Sequence, residues 1–191
     1  MESCAGVLKQ MLPLISDLQN YSQKNPLEIE TADLFLELIN SYEDCFTRDC
    51  LHAHITASAM IVNQDFSKTL LTHHKALDKW IQLGGHADGE KDALSVALKE
   101  AEEESGLKNL KFLSDEIFDL DTHFIPKHEE VFEHHHYDIR YLLQAHDSEE
   151  IIVSSESKDV QWIEIERVEK LTTSDSIKRM IEKIQMLQTN S

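Results

Sequence analysis

Four of the chain's five glycines lie in one stretch, between Gly84 and Gly106. Two of them form the pair Gly84-Gly85, and Gly106 follows an acidic run that begins at Lys99. Glycine adopts backbone conformations that other residues resist, and it commonly ends helices. In a chain otherwise so poor in glycine, this clustering predicts a short strand, a tight turn at the glycine pair, a loop, and a helix that stops at Gly106.

The predicted helix has an acidic face and an apolar face. Glu100, Glu103 and Glu104 stand at i, i+3 and i+4, which places them on one side of a helix. The other side is apolar and consists of Leu94, Ala97, Leu98 and Ala101. Clustered carboxylates repel one another, and a hard divalent cation relieves part of that repulsion. A run of charges alone is more often a solvated face, but glycines on both flanks favour a metal and diphosphate site.

The stretch from Gly85 to Leu107 resembles the signature of the Nudix hydrolases, G-x5-E-x7-R-E-U-x-E-E-x-G-U, in which U is a bulky aliphatic residue. Both end glycines stand at the correct separation, and the three glutamates at 100, 103 and 104 match in place. Three positions depart from it: Lys91 replaces a glutamate, Lys99 replaces an arginine, and Ala101 is smaller than usual. The resemblance extends over roughly residues 50–170 and implies an α/β/α sandwich with a mixed sheet.

For the metal site, the resemblance implies Mg²⁺, with Mn²⁺ as the alternative ion, held by Glu100 and Glu104. It places Glu103 close by and adds a contact from the backbone carbonyl of Gly84. Lys99 would orient the carboxylates, and it also stands at i, i+4 from Glu103. The implied reaction is attack of water on a diphosphate linkage, with the metal neutralising the charge that develops.

Two carboxylates are candidates for the general base. In several Nudix enzymes a glutamate on a loop shortly before a late tryptophan supplies a further ligand or the base. Glu156 stands six residues before Trp162 and fits that description. The alternative for Glu156 is an ordinary exposed loop carboxylate, and Glu103 is the other candidate base.

A run of three histidines points to a second polar surface. In a strand, alternate residues share a face, so His134 and His136 are expected on the same face as Asp138 and Arg140. One interpretation is a transition-metal site, because two histidines and an aspartate can bind such an ion. Another interpretation is a solvated sheet surface. The favoured hypothesis is that this face lines the substrate cleft, with Arg140 contacting a phosphate. His86, beside the glycine pair, is expected to contact the substrate phosphates or to cap its loop.

The net charge and the cysteine content restrict the partners and the location that are expected for this protein. The net charge of −18 argues against duplex nucleic acid and against an anionic membrane surface. A small-molecule diphosphate remains compatible, because a bound metal supplies positive charge locally. The three cysteines show no paired-ligand spacing and are typical of reduced thiols in a cytoplasmic protein. No apolar run has the length of a signal peptide or a membrane span.

The chain is expected to comprise an N-terminal helical segment, residues 1–49, and a Nudix-like catalytic domain, residues 50–191. Apolar spacing predicts helices over about 7–18, where Pro13 interrupts the pattern, and over about 28–42. Their apolar faces cover either the domain itself or a second subunit in a homodimer, and the sequence leaves both open. Strands are predicted near 54–62, 68–73, 80–83, 116–124, 132–145 and 160–163, and a closing helix at 174–187.

Three functions stay open at this point. The first is a Mg²⁺-dependent hydrolase of a nucleoside diphosphate linked to another moiety, or of a similar phosphoanhydride. The second, favoured by Lys91, is a catalytically weak binding or regulatory protein of the same fold. The third is isomerase chemistry on an isoprenoid diphosphate, which would need an active-site cysteine that the sequence does not place.

Overall fold

A computed structural model describes residues 4–127 and 131–189 of the chain. The helices are α1 (Cys4–Lys24), α2 (Ile29–Ser41), α3 (Ala93–Ser105), α4 (Ile165–Leu171) and α5 (Asp175–Thr189), with a 3₁₀ turn at Pro26–Glu28. The strands are β1 (Ala53–Val62), β2 (Lys68–His74), β3 (Lys79–Ile81), β4 (Leu83–His86), β5 (Lys111–Phe112), β6 (Asp119–Ile125), β7 (His134–Gln144) and β8 (Ser157–Glu164).

The strands form one sheet whose hydrogen-bonded neighbours follow the order β3-β2-β1-β7-β5. In addition, β4 pairs with β1, β6 pairs with β7, and β8 pairs with β2. Helices flank this sheet, and α1 and α2 form a helical region before the first strand. The expected fold class, a mixed sheet with flanking helices and an N-terminal helical addition, is therefore confirmed.

The chain forms two compact units that interleave along the sequence. The first contains the chain up to Ala57, Gly85–Val96 and Glu116–Arg140, and the second contains Ser58–Gly84, Ala97–Asp115 and the chain from Tyr141 onward. The N-terminal helices thus belong to a unit that also holds later strands. The predicted boundary at residue 49 stays a prediction.

In the first unit, α2 packs its apolar face within the chain. Phe35 is fully buried and meets Tyr137 of β7 edge to face, with ring centroids 5.1 Å apart. Ala32, Leu38 and Ile39 are buried on the same helix. The chain itself therefore covers this face. α1 continues through Pro13 as one helix, so the interruption expected there does not divide it.

In the second unit, β2 lies between β1 and β8. Leu70 of β2 is in register with Ile61 on one side and with Trp162 on the other, both antiparallel. The predicted hairpin of β1 and β2 is confirmed. The sequence missed two short elements, α4 and β5, because seven and two residues carry too little periodicity to identify.

The four clustered glycines lie at a helix end, inside a strand and in a turn. Gly106 has φ +74 and donates its N–H to the carbonyl of Glu102 at 2.9 Å, so α3 ends where the sequence predicted. The predicted turn at Gly84-Gly85 is wrong, because both glycines lie inside β4. The chain turns later, at Asp88 with φ +47 and Gly89 with φ +93.

Candidate functional site

The strongest candidate site is centred on Glu104, near the end of α3 in the second unit. Its side chain is buried, with 6% exposure, and its Oε2 accepts the backbone N–H of Gly84 at 2.9 Å. The pKa of Glu104 is raised to about 7, mainly by burial and also by the nearby charges of Glu100 and Glu156, against the opposing effect of the Gly84 hydrogen bond. A buried carboxylate beside two others has the electrostatic character of a cation site.

The donor set fits the divalent ion that the sequence analysis expected. Among the described residues, Glu104 forms no ion pair with a lysine or arginine, and the Gly84 N–H is the group that donates to it. Carboxylate oxygens are ligands that Mg²⁺ prefers. A divalent ion would offset the burial cost and the repulsion that together raise the pKa of Glu104. In the structure, Gly84 donates its N–H to Glu104. The contact between the Gly84 carbonyl and a metal stays a prediction.

Lys99 lies between two of the predicted site glutamates. Its Nζ is 3.1 Å from Glu100 Oε1 and 3.4 Å from Glu103 Oε2. The hydrogen bond to Glu100 is the main reason that the pKa of Lys99 is raised. Glu100 is mostly buried, whereas Glu103 is exposed. The structure therefore brings Lys99, Glu100 and Glu103 together, with Glu103 at the solvent side.

Glu156 lies on the loop before β8, in the same unit. Its charge contributes to the raised pKa of Glu104, which places it within electrostatic range of the buried carboxylate. The loop is held by hydrogen bonds from Lys75 N–H to Glu156 O at 3.1 Å and from Glu156 N–H to Ser154 Oγ at 3.4 Å. Glu100, Glu104 and Glu156 thus form one group, which we call the carboxylate group.

The two carboxylates beside Lys91 have local partners of their own. Glu90 Oε1 accepts the backbone N–H of Lys91 at 2.8 Å and that of Asp92 at 3.0 Å. Asp92 accepts Ser95 N–H at 3.3 Å and Ser95 Oγ–H at 2.6 Å, which is the arrangement of a residue that caps α3. Both carboxylates therefore stabilise the start of the helix.

The predicted substrate-binding histidines lie together in the first unit. His86, His134 and His136 line a cavity of about 380 Å³, together with His54. Its remaining lining is Arg48, Cys50, Leu51, Ile125, Val131 and Phe132. The sequence missed His54, which is on β1, because nothing in the chain's local pattern pairs it with histidines on β4 and β7.

Arg140 occupies a different environment from the one predicted. It is 2% exposed, and its guanidinium donates to Asp138 at 2.7 Å, Asp119 at 3.2 Å and Asp121 at 3.1 Å. Asp138 in turn accepts a hydrogen bond from Thr56 at 3.0 Å. The expected contact between Arg140 and a substrate phosphate is therefore wrong for this structure, because buried carboxylates already occupy the guanidinium.

Comparison with known proteins gives the family. The model of the NUDIX domain matches residues 52–184, which is most of the chain. The chain belongs to the Nudix hydrolase family. The resemblance found in the sequence is confirmed, and the protein is a Nudix-type pyrophosphohydrolase.

Solved Nudix structures share the fold. A NUDIX family hydrolase from Clostridium perfringens is 26% identical, with 70% of this chain and 97% of that chain covered and a TM-score of 0.55. A C. elegans Ap4A hydrolase in a binary complex is 18% identical, with coverage of 72% and 98% and a TM-score of 0.57. The E. coli dihydroneopterin triphosphate pyrophosphohydrolase is 17% identical, with coverage of 72% and 96% and a TM-score of 0.52. No curated protein matches the chain.

Within residues 4–127 and 131–189, no helix is both long enough and apolar enough to cross a bilayer.

Proposed function

We propose that this Nudix enzyme hydrolyses a nucleoside diphosphate linked to another moiety, or a similar phosphoanhydride, and that it requires Mg²⁺, with Mn²⁺ as the alternative ion. The observation that carries the proposal is the burial of Glu104 beside Glu100 and Glu156, with its pKa raised to about 7. Glu100 and Glu104 are the proposed ligands. Glu103 and the carbonyl of Gly84 complete the predicted set.

The bound ion would neutralise charge on the phosphates and lower the pKa of the attacking water. The chain's own residues prepare the site for it. Gly84 N–H fixes one oxygen of Glu104, and Lys99 holds Glu100 through a hydrogen bond. Both contacts reduce the motion of the ligands, and small displacements of catalytic groups are costly in rate.

Glu156 is the proposed general base. It lies near Glu104, and no ion pair with a lysine or arginine is found for it among the described residues. Glu103, the second candidate, is exposed and is paired with Lys99 at 3.4 Å, so a cation already occupies its carboxylate. Removal of a proton from water would place that proton on the Glu156 carboxylate and leave hydroxide to attack phosphorus. The bond from that phosphorus to the bridging oxygen would break, and the other half of the diphosphate would leave with that oxygen.

Two further proposals concern the substrate. His86, His134 and His136 are proposed to contact it in the cavity that they line. The names of two neighbours state that those proteins act on Ap4A and on dihydroneopterin triphosphate, which supports a phosphorylated small molecule as the substrate class. The cytoplasmic location and the homodimer stay predictions.

The test is a screen of diphosphate compounds for Mg²⁺-dependent release of a phosphorylated product. We expect turnover by the native protein and a loss on the order of 10³-fold in Glu104→Gln, since metal stabilisation of the transition state amounts to several kcal/mol. Glu102→Gln removes the same charge from the same helix outside the carboxylate group and should retain the native rate. Tight binding of a diphosphate without turnover by the native protein would instead support the catalytically weak regulatory protein.

A further inference from the structure

Three histidines from separate strands meet in the first unit. His54 is on β1, His86 on β4 and His136 on β7. Their ring centroids are 5.0 Å apart for His54 and His86, 4.9 Å for His54 and His136, and 4.8 Å for His86 and His136. One ligand atom from each ring lies within 4.8 Å of the other two. The rings therefore form a nearly equilateral triangle, which we call the histidine triangle.

The hydrogen bonding of His54 leaves one ring nitrogen for a ligand. His54 is 4% exposed, and its Nδ1 lies 3.4 Å from the carbonyl oxygen of Cys50. A carbonyl only accepts, so Nδ1 carries the proton and Nε2 carries the lone pair. That Nε2 is buried without a hydrogen-bond partner among the described residues. A histidine that binds a metal through one nitrogen usually donates the other N–H to such an acceptor.

A fourth histidine supports the triangle. His134 Nδ1 donates to the carbonyl of Phe132 at 2.8 Å, and His134 Nε2 lies 3.0 Å from Nε2 of His136. The ring of His134 also stacks on that of His54, with centroids 4.6 Å apart. His134 therefore fixes the orientations of two members of the triangle.

Burial favours the neutral form of the three rings. It lowers the pKa of His86 to about 4 and that of His136 to about 2, and it also lowers the pKa of His54. The neutral form is the one that offers a lone pair to a metal. The nearby charges of Arg48 and Asp88 offset each other, because the guanidinium donates two hydrogen bonds to this carboxylate, at 2.7 and 2.9 Å.

We propose that His54, His86 and His136 form a binding site for a divalent transition metal of the Zn²⁺ class, which is an alternative to the direct substrate contact proposed above for His86 and His136. Imidazole suits Zn²⁺, Co²⁺, Ni²⁺ and Cu²⁺, whereas carboxylates suit Mg²⁺, so the site is chemically distinct from the carboxylate group. The nitrogens of a tetrahedral Zn²⁺ site are about 3.4 Å apart, so the triangle would contract on binding an ion. Three protein ligands would leave a fourth position for water or another ligand, and the cavity that these histidines line also contains Leu51 and Phe132.

The test measures metal binding and does not depend on hydrolysis. Protein without a histidine tag is freed of metal with a chelator and titrated with Co²⁺. We expect one equivalent to produce the intense visible absorption of tetrahedral cobalt, and Zn²⁺ to abolish it by displacement. The same spectrum should appear in Glu104→Gln, which removes a ligand of the proposed Mg²⁺ site and leaves the triangle intact.

Variants assign the ligands. His86→Asn and His136→Gln should each weaken Zn²⁺ binding more than about 100-fold, whereas His134→Ala should cost about 10–100-fold, as expected for a supporting contact. His135→Ala is the matched control, because His135 is exposed and its ring meets Phe124 instead. Circular dichroism verifies that each variant is folded. Absence of the cobalt spectrum in the native protein, its persistence in both His86→Asn and His136→Gln, or its loss in Glu104→Gln would overturn the proposal.

Discussion

The carboxylate group and the histidine triangle respond to burial in opposite ways. Burial raises the pKa of Glu104 to about 7 and lowers that of His86 to about 4. In both cases loss of solvent disfavours the charged form. For the glutamate, burial makes the negative charge unfavourable unless a cation is bound. For the histidine, burial favours the neutral ring, which keeps its lone pair. The same physical effect therefore prepares one group for a hard ion and the other for a softer ion.

The largest expected effect on stability is the pH dependence of the metal-free protein. Glu104 has a folded pKa of about 7 against 4.5 for the unfolded chain, so the folded state binds the extra proton between these values. The contribution of this residue to stability is fully present below pH 4.5 and is lost as the pH rises through 7, by about 3 kcal/mol. Urea unfolding in EDTA from about pH 3.5 to 8 measures the profile, and Glu104→Gln should remove this part of it.

The histidines should give the opposite slope in the same experiment. His86 has a folded pKa of about 4 against 6.5 for the unfolded chain, so its contribution is present above pH 6.5 and is lost as the pH falls through 4. His86→Asn should therefore flatten the acid side of the stability profile while leaving the alkaline side unchanged. Equal effects of the two variants at every pH would contradict the contrast between the groups.

Divalent cations should stabilise the fold through the carboxylate group. A ligand that binds only the native state adds about 2.7 kcal/mol at a hundredfold excess over its dissociation constant. Mg²⁺ or Mn²⁺ should thus raise the melting temperature more than NaCl of matched ionic strength. The difference should vanish when Glu100 and Glu104 are both changed to glutamine. If NaCl reproduces the whole shift, the cations only screen surface charge.

The two groups also differ in how far they could be predicted from the sequence. Glu100 and Glu104 of the carboxylate group lie about one turn apart on one helix, so helical spacing alone brings these two together. The triangle depends on the pairing of β4 and β7 with the rest of the sheet, which no local pattern encodes. Arg140 failed as a predicted phosphate contact for the same reason. Its partner Asp119 is placed opposite it by the register of β6 and β7.

Gly106 follows the helix of the carboxylate group, and Gly89 follows a strand of the histidine triangle. Alanine at each position tests how much the backbone there contributes to stability. Alanine at position 106 should cost at least about 1–2 kcal/mol, because its φ of +74 is strained for an L-residue. Its Cβ would also approach Ile152 Cβ to 2.6 Å. Gly89→Ala, after the strand that carries His86, has comparable strain at φ +93, but its Cβ would lie 4.0 Å from Thr47 Cγ2. Chemical denaturation should therefore show a larger loss for Gly106→Ala, and equal losses would show that the Ile152 contact relaxes.

The smallest effect is expected at Lys91, which departs from the family signature. Glu90 and Asp92 accept backbone N–H groups at the start of α3, so each carboxylate already has a local structural partner. Lys91→Glu should raise Mg²⁺ affinity by up to about fivefold, since a partly exposed charge contributes at most about 1 kcal/mol. Calorimetric titration with Mg²⁺ measures this change. A decrease in affinity would show that Lys91 itself supports the site.

The proposed hydrolysis requires a divalent ion held by the buried carboxylate of Glu104. Mn²⁺ binding followed by electron paramagnetic resonance tests it most directly, because free and bound Mn²⁺ give different signals and Mg²⁺ can be added as a competitor. We expect the native protein and Glu102→Gln to bind Mn²⁺ in competition with Mg²⁺, and Glu104→Gln to lose that binding. If a folded Glu104→Gln variant binds Mn²⁺ as tightly as the native protein does, Glu104 is not a ligand and the proposed metal site is wrong.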